Sequence, residues 1–138
     1  MSRRAVVIDT NVLVAGLLTG DPASPVARIL DGMLSAAFPF VVSEALLAEY
    51  REVLVRPGLR KRHGLTTTEV DTLLTDIAQH AIVLAPGAGS PAPDPGGQLL
   101  WDLLASRTDL VLVTGDQTLL DDAPMQPRVL SPRNFLDK

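Results

Sequence analysis

The sequence predicts an α/β protein with three layers, in which a mainly parallel sheet lies between two layers of helices. Short apolar segments typical of strands alternate along the chain with segments whose apolar residues recur at helical spacing. Apolar residues make up 46% of the chain and aromatic residues only 4%, so the core must consist mainly of aliphatic side chains. The chain has 138 residues and no visible repeat, and we therefore expect residues 1–138 to form a single domain.

Five segments are predicted to be strands because they are short, apolar and rich in β-branched residues. They are residues 5 to 9, FPFVVS at 38–43, IVL at 82–84, LVLVTG at 110–115 and a weaker RVLS at 128–131. Since helices intervene, we expect parallel strands whose sheet is covered on both faces. In such sheets, functional groups collect at the carboxyl ends of the strands.

Helices are predicted where capping residues precede apolar residues at helical spacing. Ser24 and Pro25 begin a predicted helix over residues 24 to 36, and Thr66 and Glu69 have capping-box spacing before another. The other predicted helices are residues 44 to 55, which RPGL ends, QLLWDLLAS at 98–106, the segments after Asp9 and Asp116, and a short terminal helix. GAGSPAPDPGG at 87–97 is predicted to be a loop.

The composition excludes several classes of protein and site. Without cysteine, the chain has no disulfide, zinc-thiolate site or thiol nucleophile. No apolar run approaches the roughly 18 residues of a membrane span, and the start MSRRAVVIDT lacks the long apolar region of a signal peptide. We therefore expect a cytoplasmic protein with no membrane partner. The net charge of −4 argues against binding nucleic acid through overall charge.

Basic residues nevertheless cluster in one part of this acidic chain. They are Arg51, Arg56, Arg60, Lys61, Arg62 and His63. Two interpretations are open, a ridge that attracts phosphate and a solvated helix end with its expected cations. His63 could contact phosphate, and His80 ends a predicted helix, but neither histidine is predicted to be catalytic.

Two predicted strands are each followed by an aspartate, Asp9 after AVVI and Asp116 after LVLVTG. If both strands are parallel members of one sheet, the two carboxylates lie at the same edge. The alternative is that each aspartate only caps the helix that follows, although near Asp9 that cap could come from Thr10 or Asn11.

A third acid, Glu49, lies on the flank of the apolar stripe of the helix over residues 44 to 55. From there it can face the crevice, although a solvated position is the alternative. Carboxylates that converge repel one another unless a cation lies between them. Oxygen ligands without histidine or cysteine fit Mg²⁺ or Mn²⁺ better than zinc, and such ions can support phosphodiester cleavage.

Several segments, in the right order over nearly the whole chain, resemble the PIN-domain proteins of bacterial toxin–antitoxin systems. They are VVIDTNVLVAGLL, SEALLAEYREVLVRPGL, DPGGQLLWDLL followed by LVTGDQTLL, and VLSPRNFL. The resemblance implies a three-layer α/β/α fold and Mg²⁺- or Mn²⁺-dependent endoribonuclease activity. It also implies RNA as substrate, inhibition by a cognate antitoxin protein, and a homodimer.

By position, the resemblance implies that Asp9, Glu49 and Asp116 are the family's acidic site residues and metal ligands. Asn11 accompanies the first in DTN, and Thr114 occupies the hydroxyl position ahead of the last. The family's remaining acid is expected in a D-P-x-D pattern, but this chain has Asp94-Pro95-Gly96-Gly97. Asp94 is a candidate replacement. Asp102 is a poorer one, because it is turned well away from the leucine stripe of its helix.

Two hypotheses follow from the missing acid at Gly97. The chain is a PIN-type ribonuclease with impaired activity, or it is an inactive PIN-fold protein that retains antitoxin or RNA binding. A phosphotransfer domain does not match the sequence well, because such a domain needs a lysine late in the fold and the only lysines are Lys61 and the terminal Lys138. Trp101 lies opposite the leucine stripe, where it marks a dimer or antitoxin surface or packs against a second layer.

Overall fold

The computed structural model describes residues 4–87, 97–121 and 128–137. Within these ranges the strands are β1 (Val6–Ile8), β2 (Val41–Val42), β3 (Ile82–Val83), β4 (Val111–Val113) and β5 (Val129–Leu130). One parallel ladder has the order β1-β4-β5, and β2 pairs with β3 in a second. A parallel bridge between Val6 and Phe40 joins the two ladders. Each of the five predicted strands is present, although shorter than predicted.

The helices of the described ranges surround this sheet in the predicted three-layer α/β/α arrangement. They are α1 (Thr10–Leu18), α2 (Pro25–Ser35), α3 (Glu44–Leu54), α4 (Pro57–His63), α5 (Thr67–His80), α6 (Gln98–Ser106), α7 (Gln117–Leu120) and α8 (Pro132–Leu136). The predicted caps are present: Ser24 accepts a hydrogen bond from the backbone of Ala27, and Thr66 and Glu69 form a capping box.

Helix α3 ends before RPGL, as predicted, but a further helix that was not predicted, α4, begins within that segment. Pro57 does follow α3, but it occupies the first turn of a new helix, where its missing N–H removes no hydrogen bond. His63 at the end of α4 is hydrogen-bonded through Nε2 to the carbonyl of Leu54, 2.8 Å away, and through Nδ1 to the backbone N–H of Leu65, 2.9 Å away. These contacts fix α4 against the end of α3.

The core is aliphatic, as the composition predicts, and Trp101 belongs to it. Trp101 is only 5% exposed, so the interpretation as a second packing layer is correct and an exposed partner surface at this residue is ruled out. Helices α1 and α2 pack closely at Gly16. A Cβ atom there would lie only 2.7 Å from the carbonyl oxygen of Val26. This crossing fixes the position of α1, which begins directly after β1.

Among the described residues, the structure contains no helix with the length and apolar character that a membrane crossing requires.

Candidate active site

Asp9 follows β1 at the carboxyl end of the sheet, as predicted, and is only 8% exposed. Its backbone N–H donates to the carbonyl of Val113 at 2.9 Å. Although Asp9 is the N-cap residue of α1, its side chain makes no capping hydrogen bond. The carboxylate instead accepts hydrogen bonds from Thr114 at 2.7 Å and from Asn11 at 3.3 Å. The capping interpretation is therefore wrong for Asp9.

Asn11 and Thr114 connect the ends of β1 and β4. The Asn11 amide donates to the Thr114 hydroxyl at 3.3 Å, and its carbonyl oxygen accepts from the backbone N–H of Gly115 at 3.0 Å. Thr114 is fully buried. These two polar side chains therefore hold the Asp9 carboxylate in a fixed orientation, and Asn11 is not free to cap α1.

Asp116 lies two residues beyond Thr114, and its side chain does cap a helix. It accepts a hydrogen bond from the backbone N–H of Thr118 at 2.9 Å, at the start of α7. Its own backbone N–H donates to the Thr114 hydroxyl at 3.0 Å, which couples Asp116 to the residues around Asp9. Asp116 therefore caps α7 and also lines the cleft described below, so it does not act as a cap alone.

Glu49 is half-buried on α3 and accepts a hydrogen bond from the hydroxyl of Thr10. The sequence predicted only a possible cap at Thr10, but this buried threonine instead joins the start of α1 to α3. Tyr50 was also missed. It is fully buried and donates from its hydroxyl to the carbonyl of Ile8, directly before Asp9. The available signals were the position of Thr10 within DTN and that of Tyr50 beside Glu49.

The acids face one cleft of about 830 Å³. Three carboxylates, several aliphatic side chains and two arginines line this cleft. The residues that line it include Asp9, Glu49, Asp116, Asn11, Gly97, Val14, Leu18, Val53, Leu119, Arg56 and Arg62. The structure therefore brings Asp9, Glu49 and Asp116 to one cavity from β1, α3 and the end of β4.

The surroundings of Asp9 disfavour its negative charge. Burial raises the pKa of Asp9, hydrogen bonds from Thr114 and the Thr10 backbone lower it, and the negative charges of Glu49 and Asp116 raise it further. The pKa of Tyr50 is also raised, first by burial and then by the charges of Asp9 and Glu49. A cation between the carboxylates would relieve these unfavourable interactions.

The donor set suits a hard cation, but the residues do not form a complete cage. Among residues 4–87, 97–121 and 128–137, no group of three or more acidic, histidine or cysteine side chains is close enough to hold a metal ion. Each carboxylate is instead engaged by a hydroxyl, amide or backbone donor. This arrangement fits Mg²⁺ or Mn²⁺, since Mg²⁺ usually keeps several waters and binds one or two carboxylates together with substrate phosphates.

The position of the missing acid lies in the same cleft. Gly97 is the N-cap residue of α6 and lines the cavity, and a Cβ atom there would meet no other atom within 4 Å. Asp102 lines a separate depression with Ser43 and Pro86, and accepts a hydrogen bond from Gln98 at 2.9 Å. It is a poor replacement, as predicted. Asp94 lies outside the described residues.

Comparison with known proteins identifies the family. A search among curated proteins gives no significant match, but the family model described as PIN domain matches residues 5–118. That range contains both strands that lead to the acids, helix α3 with Glu49, and every residue of the cleft lining except Leu119. The chain therefore belongs to the PIN-domain family, whose members are generally nucleases that use divalent metal ions.

Proposed function

We propose that this chain is a Mg²⁺- or Mn²⁺-dependent endoribonuclease whose activity is reduced by the absence of a carboxylate at position 97. The observation that carries the proposal is the meeting of Asp9, Glu49 and Asp116 at one cleft, with Asp9 nearly buried. Buried carboxylates that are not paired with arginine or lysine are unfavourable, and they are retained in proteins mainly where they bind ions or perform chemistry.

In this mechanism one or two of the carboxylates of Asp9, Glu49 and Asp116 would hold the cation directly, and the others would hold it through water. When bound, the ion supplies a water of lowered pKa and stabilises negative charge on the phosphate. Asn11 and Thr114 fix the direction of the Asp9 carboxylate, and Thr10 does so for Glu49. Thr10, Asn11 and Thr114 are therefore positioning residues, as their hydrogen bonds end on the acids.

Cleavage of a single-stranded RNA, measured in Mn²⁺ and in EDTA, tests this proposal. We expect slow cleavage in Mn²⁺, none in EDTA and none with Asp9→Asn. Calorimetric titration with Mn²⁺ tests the metal site separately from cleavage. Absence of Mn²⁺ binding at millimolar concentration would overturn the nuclease proposal.

A non-catalytic binding protein is the second candidate, and Gly97 is the observation that favours it. The cleft then keeps its ligand-binding surface but lacks one carboxylate of the family pattern. Mn²⁺ binding without RNA cleavage, in both the wild type and the Gly97→Asp variant, is the result expected for this alternative.

We also propose that the chain is the toxin of a toxin–antitoxin pair, inhibited by a cognate antitoxin protein, and that it forms a homodimer. The proposal is supported by the resemblance of the segments quoted above. Light scattering after size exclusion measures the assembly directly, and a mass near 14.7 kDa at micromolar concentration argues against the dimer. Growth arrest on expression of an active variant, relieved by co-expression of a neighbouring gene product, tests the toxin role.

A further inference from the structure

We infer that Arg56 and Arg62 bind backbone phosphates of a single-stranded RNA whose scissile phosphate lies at the carboxylates of the cleft. The inference rests on the proposed function for the identity of the ligand. It adds to that function two residues that bind the substrate away from the scissile phosphate. Both arginines line the same cavity as Asp9, Glu49 and Asp116.

The structure divides the basic cluster of residues 51–63 into different environments. Arg51 forms an ion pair with Asp71 at 2.7 Å, and His63 is hydrogen-bonded to the backbone. Arg60 and Lys61 line another depression, together with Gly64 and Thr66. All six cluster residues lie in the described part of the chain, and of these six only Arg56 and Arg62 line the cleft. The six basic residues therefore do not form one continuous basic surface.

The two guanidinium groups are available to a ligand. Arg56 contacts Glu52 at 3.4 Å, but both side chains are largely exposed, at 59% and 73%. Such surface pairs contribute little free energy and are readily exchanged. Arg62 is exposed and forms no ion pair with any residue in the described ranges. Arginine is well suited to this role because its planar group binds phosphate oxygens in a bidentate manner.

The distribution of charge in the cleft indicates an extended anion rather than a single phosphate. The carboxylates repel a phosphate that has no cation beside it, whereas Arg56 and Arg62 attract one directly. Aliphatic side chains, among them Val14, Leu18 and Val53, line the same cleft and can contact a sugar or the face of a base. A chain of alternating phosphates and nucleosides matches this combination of acidic, apolar and basic groups.

The depth of the acid site selects a single strand over a duplex. Asp9 lines the cleft and is only 8% exposed, so the scissile phosphate must enter the cavity to approach it. The volume of about 830 Å³ lies in the usual range of small-molecule pockets, so a narrow, flexible chain fits it more readily than a rigid double helix. A flexible single strand can insert one phosphate while its neighbours remain at the rim, near the arginines.

Binding without cleavage tests the inference. The probe is a fluorescently labelled single-stranded oligouridylate, titrated in EDTA at several salt concentrations and followed by anisotropy. A gel verifies that the probe stays intact. The variants are Arg56→Gln, Arg62→Gln and the double variant, with Arg60→Gln as the matched control on the same helix. Circular dichroism confirms that each variant is folded.

We expect each cleft variant to weaken binding several-fold and to reduce the slope of log K against log salt by about 0.7, the value for one phosphate contact on a single strand. The double variant should reduce this slope by about 1.4. Arg60→Gln makes the same change in net charge and should leave both quantities near their wild-type values. A duplex RNA of matched length should bind more weakly than the single strand.

Three results would overturn the inference. They are equal effects of Arg60→Gln and the cleft variants, tighter binding of duplex than of single strand, and a wild-type affinity no greater than that of the double variant. The last two would point to a duplex or a different macromolecule as ligand. Mn²⁺-dependent cleavage together with unchanged binding by both cleft variants would overturn this inference alone, whereas arginine-dependent binding without cleavage would overturn only the proposed catalysis.

Discussion

The hydroxyl of Thr114 donates a hydrogen bond to the Oδ2 atom of Asp9 over 2.7 Å, although the two residues are 105 positions apart in the chain. Both residues are buried, and each directly follows a strand of the same ladder. The contact therefore fixes the central carboxylate of the candidate site with a partner that parallel strand pairing supplies.

Asp9 is expected to make the stability of the metal-free protein depend on pH. Because its pKa is raised, chiefly by burial, its stabilising contribution is complete below 3.8, the ordinary value of the carboxyl, and is lost as pH rises through the higher folded value. Asp9→Asn should remove this loss of stability at higher pH, and should raise the free energy of unfolding at neutral pH by about 1 kcal/mol. Urea unfolding in EDTA at a series of pH values measures both quantities.

The same variant reports on metal binding. Mn²⁺ should raise the melting temperature of the wild type, because a ligand that binds only the folded state stabilises it. The shift should disappear with Asp9→Asn and after removal of the metal by EDTA. An Asp9→Asn protein that is less stable than the wild type in EDTA, yet still stabilised by Mn²⁺, contradicts the role given to Asp9.

Thr10 is expected to control metal affinity through Glu49, whose carboxylate its hydroxyl contacts. Thr10→Val removes the donor and keeps the shape of the side chain. Loss of a hydrogen bond that orients a metal ligand typically weakens metal affinity about 10-fold or more. Thr10→Ser retains the hydroxyl and should keep most of the affinity, as measured by calorimetric titration with Mn²⁺. Equal affinities for the two variants would show that this contact does not position Glu49.

Gly97→Asp should increase both Mn²⁺ affinity and RNA cleavage. Position 97 lines the cleft, and a side chain begins there in open space. Aspartate also suits the N-cap position of α6, so no loss of stability is expected. The matched control is Gly87→Asp, which adds the same charge at another open glycine outside the cleft lining. No gain with Gly97→Asp, or an equal gain with Gly87→Asp, would contradict the assignment of position 97 to the site.

Gly16→Ala should destabilise the fold by about 1–3 kcal/mol, the usual cost of forcing an extra methyl group into a packed contact. In an exposed helix the same change is stabilising by up to about 1 kcal/mol, so the sign itself is informative. The reason is the close approach of α1 and α2, where the new Cβ would lie 2.7 Å from the carbonyl oxygen of Val26. Gly20→Ala, with open space around it, is the control, and chemical unfolding compares the two. A stabilising Gly16→Ala would show that the helices separate at little cost.

Local patterns in the sequence were sufficient for most of the secondary structure. The strands and the capping box at Thr66 depend on residues within a few positions of one another, so they can be recognised without tertiary contacts. Helix α4 was missed, although Pro57 in its first turn and Gly64 after its last residue are local signals of a helix start and end. It begins with Pro57 and Gly58, buries no side chain fully, and is fixed by the contact of His63 with Leu54.

The candidate site also combines features that local sequence predicts with features that depend on tertiary contacts. The sequence by itself determined that Asp9 and Asp116 follow parallel strands and that Glu49 lies on the flank of a helix, because these placements follow from periodicity and strand order. Their roles in catalysis and metal binding stay predictions. Only the tertiary structure decided that Asp116 caps a helix while Asp9 does not, that Thr10 contacts Glu49, and that Arg56 and Arg62 line the same cleft as the acids. The physical reason is that two of the hydrogen bonds that orient Asp9 and Glu49 come from residues 105 and 39 positions away, which become neighbours only when the sheet and helices pack.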